Sequence, residues 1–193
     1  MTTYPTGIVS VPIVLRLQGN GKLKTDQLAP VRGGGVLYKN AAVAFNFMWS
    51  AAERDGIDLN NWGTYLTYEA QVNRFLSRYQ QSPTARDPEV RTKWQGKWWW
   101  LKVGAAPAAA PPSSTTPGSP HGWGMAIDLN PAGERLEWLR IHAPLYGYKW
   151  EVGDTSSKYW EPWHLIYTQG SGYTLWVSNL LKELFPNGKD PIV

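Results

Sequence analysis

Apolar residues from Tyr38 to about Arg54 recur at Ala41, Phe45, Met48 and Ala52, in steps of three and four, which predicts an amphipathic helix. Gly56 suits its end. A second helix is expected after Tyr68 and on to about Gln81, with Val72, Phe75, Leu76 and Tyr79 on one face. Gly63 to Tyr68, between the two, reads as a short strand or its exit. Ile8 to Leu17 is rich in Val and Ile and predicts a strand despite Pro12. Gln18 to Gly21 reads as a turn, and Arg32 to Gly35 as a loop. Met125 to Leu129 predicts another strand. Asn130 and Pro131 fit an N-cap and a first helical proline, opening a helix that turns Leu136, Trp138 and Leu139 inward. Tyr146 to Trp150 and His164 to Thr168 read as strands. Ser171 is placed to cap a last helix carrying Trp176, Val177, Leu180, Leu181 and Leu184, stopped by Pro186. Helices and short strands alternate without a regular β-α-β repeat, so the predicted class is α+β.

Length and composition refine this picture. A chain of 193 residues suits a single domain over 1–193, and 18% charged residues reads as globular. Ala105 to Gly118 has a linker-like composition, but each flanking half holds part of one apparent site. It is therefore read as an ordered loop approaching that site. No apolar run is long enough to span a membrane. No basic cluster precedes the first apolar stretch, so no secretory signal is expected, and release from the producing cell would need another route. A net charge of +4 is mild and suits an anionic polymer such as a bacterial wall, or nucleic acid, or no particular partner. There is no dense Lys/Arg run, so nucleic acid is not an expected partner. Twelve tryptophans are many, and Trp94, Trp98, Trp99 and Trp100 crowd one segment. They suit either core packing or an aromatic wall for a sugar or peptide.

Cysteine is absent, which excludes a disulfide scaffold, thiolate metal sites and a Cys nucleophile. Any metal must be held by His, Asp or Glu, and the histidines are only His121, His142 and His164. His121 and Asp128 share the stretch Ser119-Pro120-His121-Gly122-Trp123-Gly124-Met125-Ala126-Ile127-Asp128. Its glycines permit tight bending that brings both side chains to one point. A second cluster, Glu161-Pro162-Trp163-His164, adds one imidazole and one carboxylate. Residues three apart on a regular strand face opposite ways, but Pro162 breaks that regularity, so Glu161 can sit in the turn entering the strand. Two His and one Asp suit zinc, leave one position open, and spare Glu161 as a proton acceptor. Each residue alone also fits an ordinary structural role. His142 stands without such company and is expected to be structural.

Together the motifs Ser-x-His-x-x-Gly-x-Ala-x-Asp and Glu-x-Trp-His resemble the VanY-like zinc peptidases, the D-alanyl-D-alanine carboxypeptidases and L-alanyl-D-glutamate endopeptidases. Asn20-Gly21-Lys22-Leu23, Ala44-Phe45-Asn46, Trp98-Trp99-Trp100-Leu101 and Pro117-Gly118-Ser119 are similar to actinobacteriophage endolysins of this group. The resemblance implies a small Hedgehog-like fold with a central, mainly antiparallel sheet flanked by helices. It implies zinc on His121, Asp128 and His164, Glu161 as general base and then acid, and the peptidoglycan stem peptide as substrate. The family motif Tyr-Arg-(Ser/Thr)-x-x-x-Gln has Leu66 at its arginine position, within Tyr65 to Gln71. Leucine cannot donate a hydrogen bond, and losing an oxyanion donor costs roughly 10² to 10³ in rate. Arg74, Arg32 and Lys102 are candidates to replace it. Gln71, Ser119 and Trp163 are candidate substrate contacts.

The leading expectation is a zinc-dependent peptidoglycan peptidase. It would be an endolysin held in the host cytoplasm until lysis, or a lysin carried in the virion, cutting as an L-alanyl-D-glutamate-type endopeptidase. The alternatives are a D-Ala-D-Ala-type carboxypeptidase, and a zinc-stabilised phage tail or binding module with little catalysis. Phage tail proteins are the conceivable protein partners; otherwise a monomer is expected, without membrane insertion.

Overall fold

A computed structural model describes residues 3–83, 91–106, 111–130 and 133–169. The elements are α1 (Ile13–Gln18), β1 (Leu28–Pro30), β2 (Val36–Tyr38), α2 (Lys39–Arg54), β3 (Asn61–Gly63) and α3 (Tyr68–Arg78). They continue with β4 (Tyr79–Gln80), β5 (Arg91–Trp94), β6 (Lys97–Leu101), β7 (Ala126–Leu129), α4 (Glu134–His142), β8 (Tyr148–Lys149) and β9 (His164–Tyr167). Every pairing among these strands is antiparallel. The principal sheet runs β3-β7-β9-β8, with smaller sheets β1-β2 and β4-β6-β5. This is the mixed, mainly antiparallel architecture expected for α+β.

Helix α2 organises the core. Its predicted face is buried, and Ala42, Ala44, Phe47 and Ala51 widen the stripe until half of the helix residues are buried. Small alanines let the helix approach its neighbours closely, while Phe45 and Met48 supply area. Full burial of a side chain like Phe45 contributes about 1.5–3 kcal/mol. Tyr148 of β8 donates its hydroxyl to the Ala41 carbonyl at 2.7 Å, tying sheet to helix. Helix α3 is capped by Thr67, whose hydroxyl accepts from Ala70 N at 3.1 Å.

Several boundaries differ from expectation. Ile8 to Leu17 contains α1 rather than a strand. Val11 and Leu15, four apart, are buried, while Ile13, Val14 and Leu17 are exposed. Pro12 stands at the N-cap with φ −57°, a position where its missing N–H costs nothing, and this outweighs the β-branched composition. Asn130 and Pro131 do not open α4, which begins at Glu134 after Gly133 at φ +58°; Pro131 itself lies outside the described residues. Leu76 is exposed rather than inward, because Gln71 and Phe75 define the buried face of α3 and Leu76 lies about 100° round the helix from Phe75. Tyr146 closes a 3₁₀ turn, leaving only Tyr148–Lys149 as strand. Of the two readings for Gly63 to Tyr68, the strand exit holds, since β3 ends at Gly63. The helix predicted after Ser171 lies outside the described residues.

The tryptophan-rich segment forms the hairpin β5-β6, two strands that no regular alternation in the sequence predicts. Trp94 and Trp99 pack on Phe75 of α3 at 4.9 and 5.4 Å between ring centroids, and Phe75 stacks on Tyr79. Trp98 is exposed, with the Arg91 guanidinium and Lys93 ammonium over its ring. Trp94 and Trp99 thus pack, half-buried, in an aromatic cluster on α3 outside the main core. His142 stacks on Trp138 at 4.4 Å, away from the other histidines, as its structural reading anticipates.

Candidate metal centre

The centre is built by strand register. In the antiparallel pair β7-β9, Asp128 stands directly opposite His164, so their side chains emerge on the same face as close neighbours. On the other side of β7, Gly63 of β3 stands opposite Asp128. A Cβ at Gly63 would lie 2.3 Å from Asp128 Oδ2. The carboxylate therefore occupies space that any other residue would fill. Gly63→Ala is expected to cost about 1–3 kcal/mol by overpacking and to weaken metal binding, read by thermal melting and by zinc titration.

His121 comes from the 3₁₀ turn Pro120–Trp123, which leads into β7 through Gly124 at φ +62°. Its Nδ1 donates to the Thr64 carbonyl at 2.8 Å. A carbonyl only accepts, so Nδ1 donates to it, and Nε2 is the nitrogen that can offer its lone pair to a metal. That Nε2 is 3.4 Å from Asp128 Oδ1, and His164 Nδ1 approaches the same oxygen at 3.1 Å. Three ligand atoms from His121, Asp128 and His164 all lie within 4.8 Å of one another, and all three residues are buried. Two imidazole nitrogens converging on one carboxylate, able to bind once a metal takes the place of their protons, are the donor set a divalent transition metal requires, so the residues fit a metal.

A polar hub props the His121 turn from behind. Asn20 is fully buried. Its Nδ2 donates to Ser119 O at 2.7 Å, and its Oδ1 accepts from Gln71 Nε2 at 3.0 Å. Gln71 Nε2 also reaches Leu66 O, while Leu66 N donates to His121 O. A Cβ at Gly122 would fall 1.9 Å from Asn20 Oδ1, so the turn must carry glycine there to rest on the hub.

The centre opens into a cleft of about 460 Å³. Its lining includes Glu161, Trp163, Ser119, Gln71 and Leu66, together with Trp62, Arg74, Arg78 and Glu151. Ala106 and Gly118 also line it, so the Ala/Pro-rich segment reaches the cleft; residues 107–110 of that segment lie outside the described residues. Glu161 sits in the turn before β9, where its carbonyl accepts from His164 N at 3.0 Å. Of the three candidates to replace the missing arginine, only Arg74 lines the cleft. Arg32 pairs with Glu53, and Lys102 donates to the Leu76 and Ser77 carbonyls. Asn20, Gly63, Glu151 and Arg78 were not anticipated as parts of the site. Asn20, Gly63 and Glu151 act through neighbours distant in sequence, Arg78 lines the cleft from α3, and no local pattern marks any of them.

Burial works against charge throughout the centre. Desolvation pushes the Asp128 carboxyl up, but hydrogen bonds and charge from His121 and His164 overcome it and hold the pKa at about 2. Desolvation pushes His164 down, yet contacts with Asp128 and Glu151 carry its pKa up to about 9. Glu161 is raised, chiefly by desolvation. The depressed Asp128 contributes stability above its ordinary 3.8 that is lost as pH falls through about 2. The raised His164 contributes stability below its ordinary 6.5 that is lost as pH rises through about 9. Metal-free protein should melt highest between these limits. Zinc must displace the His164 proton, so its affinity should climb about tenfold per pH unit up to about 9. Titration at several pH values measures this.

Comparison with known proteins agrees with the geometry. Residues 35–170 match the model of the family described as VanY, D-alanyl-D-alanine carboxypeptidase. No curated protein matches the chain. Among solved structures, the LdcB LD-carboxypeptidase is similar at TM-score 0.50 and 18% identity, covering 89% of this chain and 86% of that one. VanYB, solved in complex with D-alanine-D-alanine, aligns at TM-score 0.45 and 19% identity over 84% and 89% of the two chains. With the match spanning well over half its length and containing every residue of the metal cluster, the chain belongs to the VanY D-alanyl-D-alanine carboxypeptidase family.

Proposed function

We propose that the protein is a zinc-dependent peptidase that hydrolyses a peptide bond in the stem peptide of peptidoglycan. The carrying observation is the buried His121, Asp128 and His164 cluster opening into a cleft that Glu161 also lines. Zinc held by His121 Nε2, an Asp128 oxygen and His164 Nδ1 would supply Lewis acidity, lowering the pKa of a water and polarising the scissile carbonyl. Glu161 takes the proton from the attacking water and returns it to the leaving amine. Burial raises its pKa, and a more basic carboxylate accepts the proton more readily. A carboxylate free to do this has no use in a purely structural zinc site, which favours an enzyme over a binding module.

Trp163, Ser119 and Gln71 line the path of the peptide and are the proposed substrate contacts. Gln71 serves there while its amide nitrogen supports Asn20. Leu66 leaves its part of the wall without charge. Among the described residues lining the cleft, Arg74 and Arg78 are the cationic ones. They sit one turn apart on α3, suited to a carboxylate of the substrate.

For the scissile bond, cleavage as an L-alanyl-D-glutamate-type endopeptidase is the leading reading, supported by the likeness to endolysins. The family match favours a second, removal of terminal D-alanine. Both bonds have a carboxylate on the leaving side. The proposed setting is a bacteriophage lysin, acting at host lysis or from the virion. No described helix is long and apolar enough to cross a membrane. Purified protein incubated with walls of several types, with and without chelator, tests the reading by mass spectrometry of the products. A new glutamate amino terminus marks the endopeptidase and free D-alanine the carboxypeptidase. No product from any wall under zinc overturns the proposal.

A further inference from the structure

Glu151 touches the centre from a direction that no motif indicates. His164 makes two contacts, one through each ring nitrogen. Nδ1 lies 3.1 Å from Asp128 Oδ1, and Nε2 lies 3.2 Å from Glu151 Oε2. Glu151 is not one of the three clustered ligand residues, and it meets the ring nitrogen that does not face Asp128. Its carboxylate is about half exposed, whereas His164 is buried.

The backbone beneath Glu151 is held firmly. Trp150, just before it, is 1% exposed. Trp150 N donates to Pro5 O, Trp150 O accepts from Gly7 N, and its indole donates to Pro162 O at 3.2 Å. The Tyr4 and Trp160 rings pack against it. The N-terminal segment and the turn carrying Glu161 thus share one anchor, and Glu151 projects from it towards His164.

A neutral imidazole carries one proton. If Nε2 holds it and donates to Glu151, the Nδ1 lone pair is directed to where Asp128 and a metal meet. A carboxylate acceptor also makes the far nitrogen more basic than a neutral acceptor does. The two histidines differ in this respect: His121 is oriented by the Thr64 carbonyl and His164 by a full charge.

We propose that Glu151 is a positioning residue for the metal site, accepting the Nε2 proton of His164 so that Nδ1 faces the metal. This rests on the metal reading above. Zinc affinity of the wild type, Glu151→Ala and Glu151→Gln, measured by competition with a chromophoric chelator, is the test, with melting of the metal-free forms as the control for folding. Glu151→Ala should lose about 10- to 100-fold in affinity. Glu151→Gln, whose amide oxygen still accepts the proton, should lose less. Equal affinity in the wild type and Glu151→Ala overturns the proposal and leaves the metal site standing. A wild type that binds no zinc overturns both. Should Glu151→Ala fail to fold, nitrogen NMR of zinc-loaded wild type decides. A His164 proton on Nε2 upholds the assignment, and a proton on Nδ1 sinks it.

Discussion

Glu161→Gln should lower the rate of stem-peptide cleavage by about 10²- to 10⁴-fold while leaving one zinc per chain. Glutamine fills the same volume but cannot take a proton at neutral pH. Glu161 is outside the buried three-residue cluster, so the donor atoms are untouched by the change. It lies in the turn whose carbonyl receives His164 N, a backbone contact the substitution preserves. The expected signature is therefore a large fall in kcat, little change in KM and unchanged zinc content. Activity close to wild type would remove Glu161 from the role of base. Loss of zinc would instead make it part of the metal's support.

His164→Ala should abolish zinc binding and cleavage together. The substitution removes one of three donors, and two are too few for a catalytic site. It also strips Asp128, only 4% exposed, of one of the two imidazoles that hold its pKa at about 2. A buried carboxylate that loses a partner is costly, so the metal-free variant should also melt below metal-free wild type near neutral pH. Zinc content by elemental analysis and cleavage by mass spectrometry check the first expectation, and calorimetry checks the second. Full zinc occupancy in the variant would reject the ligand set.

The parts of the molecule that were legible in the sequence share a cause. Helix α2 is written as a run of apolar residues long enough to reveal its period, and β7 as a short apolar stretch that contains Asp128. The metal cluster was legible because the chain is poor in alternatives: without cysteine and with three histidines, few donor sets exist. Helix α1 was hidden because Ile and Val favour strands, while the burial that decides its form comes from elements far along the chain. The β5-β6 hairpin was hidden because its tryptophans alternate only loosely, with Phe75 of α3 supplying the packing. The supports of the site were the least legible. Gly63 matters only because β3 pairs with β7, and Glu151 only because β8 pairs with β9. Asn20 matters because its turn is buried against Gly122. These are facts of register and contact, which no local pattern encodes.

The Asn20 hub bears on where the working unit begins. The family match starts at residue 35, yet the turn carrying His121 rests on a side chain fifteen positions earlier. A shortened chain cut to 35–170 would keep all three metal donors and Glu161 but lose Asn20, together with the Gly21 backbone that bonds Gly122 and Tyr68. Gln71 and the Ser119 carbonyl would then face a hole where a buried amide belongs. Anyone grafting or trimming this centre should carry residues 19–22 along with it, because the portable unit is larger than its recognisable motif.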